Sequence, residues 1–332
     1  MKPFRYEVAD DASAAVAVAT RSPRAMYLAG GTNLVDLMKL GVAAPELLVD
    51  ISRLPLDRIE PGADGGLLVG AAVRNSDLAA DRRERARYPV LAQAVLDGAS
   101  GQLRNMATVG GNLLQRTRCL YFQDVTKPCN KRVPGSGCPA RTGEHRNLAI
   151  LGASDSCVAT HPSDMAVAMA ALDAVVHVEE PSGPRSVPLT ELYRLPADTP
   201  EQEAALAPGA LITGIELPPL GFSRQSAYRK VRDRASYAFA VASVAAAIEV
   251  EGGTVRDVRL ALGAVAPMPW RARRVEAELV GRPAVPGEFR QAIEAELAAA
   301  RPLRDNAYKV PLVRNLVVRV LSDLVERHGG RQ

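Results

Sequence analysis

All four cysteines of this 332-residue chain fall within 39 positions, at Cys119, Cys129, Cys138 and Cys157. The spacing is C-x9-C-x8-C-x18-C, with Pro128 before one cysteine and Pro139 after another. Four thiolates in so short a stretch match a four-coordinate site. Three chemistries suit them. A [4Fe–4S] cluster takes four thiolates and needs no histidine. A structural zinc ion takes the same set, but it usually shows short C-x2-C knuckles, absent here. Two disulfides would form in an oxidising compartment. Spacing alone leaves all three open, along with unlinked thiols. His145 and His161 are alternative ligands that four cysteines make unnecessary. Arg116, Arg118, Lys127, Lys131 and Arg132 would offset the charge of a thiolate-ligated cluster, and solvated surface charge explains them as simply.

Two glycine turns form the second group of residues suited to chemistry. Residues 25–29 are a compact apolar run, read as a buried strand that ends at Gly30-Gly31. Thr32 or Asn33 is placed to cap the next helix, whose Leu34, Leu37 and Met38 sit at i, i+3 and i+4. Strand, double glycine and capped helix present free backbone N–H groups to a phosphate. Ala107-Thr108-Val109-Gly110-Gly111-Asn112 runs β-branched residues into another glycine pair. Two such turns point to a two-sided grip on a dinucleotide; a tight connection and a hairpin turn are the plainer readings. His161-Pro162-Ser163-Asp164 opens an apolar helix over residues 165–174. Ser163 or Asp164 is its natural N-cap, and the same groups could hold a ligand's hydroxyls.

The elements around these groups read as alternating α and β. A strand and helix occupy residues 5–20, and strands follow at 47–51 and 66–72. Residues 77–100 read as helical, with a charged start that forms a solvated face. Residues 115–159 lack periodicity, and a structureless loop of that length is functional or disordered. A strand spans 175–178, and short strands and polar loops fill 186–221. A new unit begins at Ala227: a basic strand at 228–232, an alanine-rich helix or strand at 237–248, and a strand at 258–265. Helices follow at 272–280, 287–300 and 309–327. The length predicts two or three cores. A net charge of +4, dispersed along the chain, argues against a nucleic-acid surface. The N-terminus has no apolar signal core, and no apolar run is long enough to span a bilayer. The expectation is a cytoplasmic protein without membrane insertion, or one exported as the passenger of a signal-bearing partner.

Four motifs, taken in order, carry a resemblance: YLAGGTNLVDLMK, ATVGGNLLQ, HPSDMAVAMAALDAVV and YRKVRDRASYAFAVASVAAAI. Together they resemble the FAD-binding (medium) subunit of the molybdenum hydroxylases, the xanthine dehydrogenase, aldehyde oxidoreductase and carbon monoxide dehydrogenase group. The likeness covers essentially the whole chain. It is nearest to the FAD subunit of bacterial, periplasmic-type aldehyde oxidoreductases, which carry the same cysteine-bearing insertion. The resemblance implies an α+β, vanillyl-alcohol-oxidase/PCMH-type fold. Subdomain 1 would span residues 1–60. Subdomain 2 would span 61–221, with an iron–sulfur insertion at 115–160. An α+β domain of the CO dehydrogenase flavoprotein C-terminal type would follow at 222–332.

By the family's pattern Tyr27, Leu28, Ala29, Gly30, Gly31, Thr32, Asn33 and Leu34 wrap the FAD pyrophosphate. Ala71 lies near the cofactor, and Ala107, Thr108, Gly111 and Asn112 form a second grip. Ser163 and Asp164 sit at the ribityl and flavin end, and Ile212 and Lys230 close over the flavin. Cys119, Cys129, Cys138 and Cys157 would hold a [4Fe–4S] cluster. No catalytic acid, base or nucleophile is implied. A large molybdenum-cofactor subunit would oxidise the substrate, an aldehyde first and a purine second, and a small [2Fe–2S] subunit would pass electrons here. The chain shows no separate dinucleotide fingerprint, so the final acceptor stays open. The competing reading is a self-contained FAD oxidoreductase whose cysteine loop is a zinc or disulfide staple.

Overall fold

A computed structural model describes residues 1–329. The chain builds three sheets in succession. The first is parallel, with strands β1 (Arg5–Val8), β2 (Ala25–Leu28) and β3 (Leu47–Asp50) in the order β1-β3-β2. Helices α1 (Ala12–Arg21) and α2 (Leu34–Lys39) make its crossovers. Asp11 caps α1 by accepting from the Ala14 amide at 2.7 Å. Asn33 does not cap α2 with its side chain, contrary to the sequence expectation. Its Oδ1 instead accepts from the Arg116 amide at 3.0 Å, tying the first turn to the start of the cysteine loop.

The second sheet is antiparallel, in the order β4-β5-β8-β6-β7. Its strands are β4 (Ile59–Pro61), β5 (Leu67–Gly70), β6 (Val175–Glu180), β7 (Gly183–Pro188) and β8 (Leu211–Leu217). Between β5 and β6 lie helices α3 (Asn75–Ala80), α4 (Arg82–Arg87), α5 (Pro89–Asp97), α6 (Gly101–Arg104), α7 (Val109–Leu113), α8 (Leu120–Gln123) and α9 (Asp164–Ala171). The single helix expected over 77–100 is thus three. Asp81 ends α3 and caps α4 through the Arg83 and Glu84 amides, and Pro89 starts α5. The four-residue α10 (Leu189–Leu192) follows β7.

Every residue of α9 is buried, the run 165–171 because it is apolar all round and Asp164 because Tyr228 and Lys230 pair it. It packs against α5 on one side and the third sheet on the other. That sheet has the order β12-β11-β10-β9, with β9 (Ser226–Val231), β10 (Ala242–Glu251), β11 (Thr254–Gly263) and β12 (Trp270–Arg271). Helices α11 (Arg273–Leu279), α12 (Pro286–Leu297) and α13 (Lys309–Gly329) close the fold.

The alanine-rich segment that sequence left as helix or strand is the central strand β10. Ala245 faces the core shared with α9, while Ala242, Val244, Ala246 and Ile248 face the core shared with α13. A strand covered on both faces needs no polar alternation, which is why its period was unreadable. Among the described residues no helix is long and apolar enough to cross a membrane.

Candidate functional site

A cavity of about 950 Å³ opens where the first sheet, α7, α9 and β9 converge. That is within the size range of small-molecule and cofactor sites. The two glycine turns meet backbone to backbone. A Cβ on Gly30 would stand 1.9 Å from the Met106 carbonyl oxygen, so only glycine fits. Gly31 has φ 71°, a left-handed conformation that favours glycine. The second turn is not a hairpin: its glycines lie inside α7, and Thr108 caps that helix by accepting from the Gly111 amide. The amide of Gly110 donates to the Ala71 carbonyl at 2.9 Å, and that of Val109 to the Val73 carbonyl at 2.9 Å. These bonds fasten α7 to the end of β5.

Tyr27, Ala29, Gly30, Gly31, Thr32, Asn33 and Leu34 line the cavity. So do Ala71, Ala107, Thr108, Gly111, Asn112, Asp164, Ile212 and Lys230. Two residues singled out in the sequence do not reach the wall. Leu28 lies behind the first turn, where its Cδ1 would stand 3.4 Å from a Cβ on Gly31. Ser163 caps α9 through the Ala166 amide and donates to Asn112 Oδ1 at 2.6 Å. It therefore orients a wall residue from outside the cavity.

At the far end Lys230 Nζ donates to Asp164 Oδ2 at 2.7 Å and to the Asp97 carbonyl at 3.0 Å. The Tyr228 hydroxyl donates to the other Asp164 oxygen at 2.5 Å. Burial pushes the Asp164 carboxyl upward, and the Lys230 ammonium opposes the shift. The wall also holds Arg104, Arg116, Arg118, Arg234 and Asp36, so cations outnumber carboxylates. That balance suits a diphosphate-bearing ligand. Arg118 stacks over the Phe239 ring at 4.8 Å, and its buried Nε has no hydrogen-bond partner among the described residues. Burial lowers its pKa. Phe239 and Tyr237, both exposed, reach the cavity from the connection after β9. No sequence signal marked these aromatics as cavity residues, because tertiary folding alone brings that connection to the mouth.

The four cysteines gather beside this cavity in one apolar cluster with Leu37, Phe122, Ala140, Leu148, Val158 and Ala159. Leu37 also lines the cavity, so the two regions share a wall. Cys119 and Cys157 are buried, Cys129 and Cys138 half-buried, and none is in a disulfide. Backbone N–H groups approach the thiols: Tyr121 and Phe122 at Cys119, Val158, Ala140 and Arg141 at Cys138, and Ala159 at Cys157. Burial pushes the Cys157 thiol up to about 11, and Lys131 opposes this. Burial likewise raises Cys119 and Cys138. Among the described residues no three Cys, His, Asp or Glu side chains meet in a group fit to hold one metal ion.

The two histidines named as alternative ligands are engaged elsewhere. His145 pairs through Nδ1 with the Ala140 carbonyl, and its Nε2 accepts from the Asp305 amide at 3.0 Å. His161 packs edge-on against Tyr193, with Nε2 facing the Leu113 carbonyl, and burial pulls its pKa down to about 4.

The loop's far end is anchored to the C-terminal helices. The fully buried Lys309 donates to the carbonyls of Asn147, Leu148 and Ala264, and Asn306 donates to those of Leu148 and Ala149.

Residues 2–220 match the FAD binding domain in molybdopterin dehydrogenase, and residues 226–324 the CO dehydrogenase flavoprotein C-terminal domain. The chain is 50% identical to the aldehyde oxidoreductase FAD-binding subunit PaoB of Escherichia coli (strain K12), over 97% of this chain and 98% of that protein. It is 28% identical to the glyceraldehyde dehydrogenase medium chain of Sulfolobus acidocaldarius, over 84% of this chain and 82% of that one. Among solved structures, a chain of carbon monoxide dehydrogenase from Hydrogenophaga pseudoflava matches with TM-score 0.76 at 26% identity, covering 98% of each chain. With both of its domains matched and half its residues shared with such a relative, the chain belongs to the molybdenum hydroxylase family as an FAD-binding medium subunit.

Proposed function

We propose that this chain holds FAD in the cavity and one [4Fe–4S] cluster on Cys119, Cys129, Cys138 and Cys157, and serves as the electron-transfer subunit of a molybdenum-dependent aldehyde oxidoreductase. The observation that carries this reading is the shared wall: Leu37 belongs to both the cavity and the cysteine cluster. When bound, the two groups supply the redox chemistry; the protein supplies position and electrostatics. Residues 30–33 would offer backbone N–H groups to the pyrophosphate, whereas the amides of Val109, Gly110, Gly111 and Asn112 are bonded within the protein and that turn would contribute shape and the Thr108 and Asn112 side chains. Asp164 and Lys230, each held by further hydrogen bonds, would orient the flavin end.

A zinc ion and an iron–sulfur cluster would both take these thiolates and differ in the ligand spacing they need. A zinc ion with Zn–S near 2.3 Å needs thiolates roughly 3.8 Å apart around one point. A cluster spreads the same four ligands wider. N–H donors aimed at buried sulfurs stabilise thiolate, which a cluster needs and a disulfide does not. In the assembly a large molybdenum subunit would convert aldehyde and water to carboxylic acid, releasing two electrons and two protons. A small [2Fe–2S] subunit would deliver the electrons here. The same reading divides the chain at residues 60 and 221.

The test is an anaerobic absorbance spectrum of the purified complex, with iron, acid-labile sulfide, zinc and FAD assayed on the separated subunit. The expected result is one FAD with about four iron and four sulfide per chain. About one zinc without iron in this subunit would overturn the cluster and favour the structural staple. Absence of FAD would overturn the assignment of the cavity.

A further inference from the structure

A chain of three charges runs between the cavity and the cysteine cluster. Arg116 lines the cavity, and its guanidinium lies 4.5 Å above the ring of Phe122, a buried member of the cysteine cluster. Its Nε pairs with Glu203 Oε2. The other Glu203 oxygen pairs at 2.8 Å with Lys131 Nζ, which also donates to the Pro200 carbonyl at 3.0 Å. Lys131 is buried and sits two residues after Cys129 in the loop. Among the described residues neither cation has a second carboxylate partner. One carboxylate, contributed from a connection far along the chain, is therefore shared by one cation at each site, and the three groups keep a net positive charge. Lys131 is buried and Arg116 and Glu203 are half-buried, so a unit charge acts on both neighbours more strongly than in open water.

We propose that Glu203, through Arg116 and Lys131, sets the reduction potentials of the flavin and the cluster together. The inference rests on the two-cofactor reading above. Reduction adds one electron to the cluster, and two electrons with one proton to the flavin. Each site thus gains negative charge that nearby cations stabilise. Removing the Glu203 charge leaves both cations uncompensated and raises both potentials. Removing the Lys131 charge leaves Glu203 balanced by Arg116 alone, takes away the net positive charge and lowers both. Glu203 is a potential-setting residue and takes no part in bond making.

The experiment is a spectroelectrochemical titration of the assembled complex, with electron paramagnetic resonance on the cluster, for wild type, Glu203→Gln and Lys131→Met. Iron, sulfide and FAD are assayed first on each preparation. The expected result is opposite shifts, upward for Glu203→Gln and downward for Lys131→Met, at both cofactors. Loss of packing alone cannot reverse sign between the two variants. If wild type holds both cofactors and the potentials stay put, or only one responds, the inference is overturned while the two-cofactor reading stands. Wild type lacking iron overturns both. Should Glu203→Gln fail to assemble, Lys131→Met decides alone: a downward shift at both cofactors supports the link, and any other result overturns it.

Discussion

In the cavity the backbone makes the shape. Gly30 presses onto the Met106 carbonyl, Gly110 donates to the Ala71 carbonyl, and little room is left for side chains between the two turns. In the cysteine loop the backbone has almost no regular structure beyond α8 and a short 3-10 turn over Pro139–Arg141. There side chains make the shape. Arg132 donates to the carbonyls of Tyr121, Phe122 and Lys127, and Asn130 joins Gly137 to Ser156. One region is a close contact between rigid elements, the other a set of polar clasps around an apolar pocket. A backbone contact fails when a single methyl is added. A clasped loop fails when its central ligands or its charges are removed.

The largest effect should fall on the backbone contact. Gly30→Ala is expected to purify without flavin, whereas Gly101→Ala, which meets open space, should keep it. The ratio of flavin to protein absorbance reads this, and a flavin-loaded Gly30→Ala would break the comparison. Next comes the loop. Cys129→Ser should lose most of its iron and keep most of its FAD, because the cavity's glycine turns do not depend on that thiol. Full iron content in that variant would remove Cys129 from the proposed ligand set.

A third change sharpens the contrast within the cavity, where one ion pair is the exception to backbone control. Lys230→Met leaves Asp164 buried without its cation and should cost about 3–5 kcal/mol in denaturant unfolding. A cost below about 1 kcal/mol would mean that Tyr228 alone satisfies the carboxylate.

The smallest effect lies in the frame that supports both regions. Burial pushes the Glu84 carboxyl on α4 from 4.5 up to about 8. Folding therefore binds a proton between those values, so its contribution is full below pH 4.5 and is lost as pH rises to about 8. Glu84→Gln should flatten that decline in melting temperature. An unchanged pH profile would mean that Glu84 does not titrate in this window.

Local chemistry made a large part of the cavity readable before any fold was known. A glycine that must adopt φ 71°, a threonine that caps a helix and an all-apolar stretch after Asp164 each act within a few residues. The four cysteines were equally visible, since their clustering is a property of spacing. Other features escaped because their causes are remote. β10 reads as either element until sheets and helices cover both its faces. Asn33 serves the cysteine loop rather than its own helix. Arg116, Glu203 and Lys131 come together across 87 and 72 positions, so no local pattern could pair them. What the sequence determined alone is the backbone chemistry of the turns and the supply of thiols, because short-range sterics and hydrogen bonds decide them. Only the tertiary structure decided that cavity and cysteines share Leu37 and one chain of charges, because burial and pairing of distant groups are properties of the packed whole.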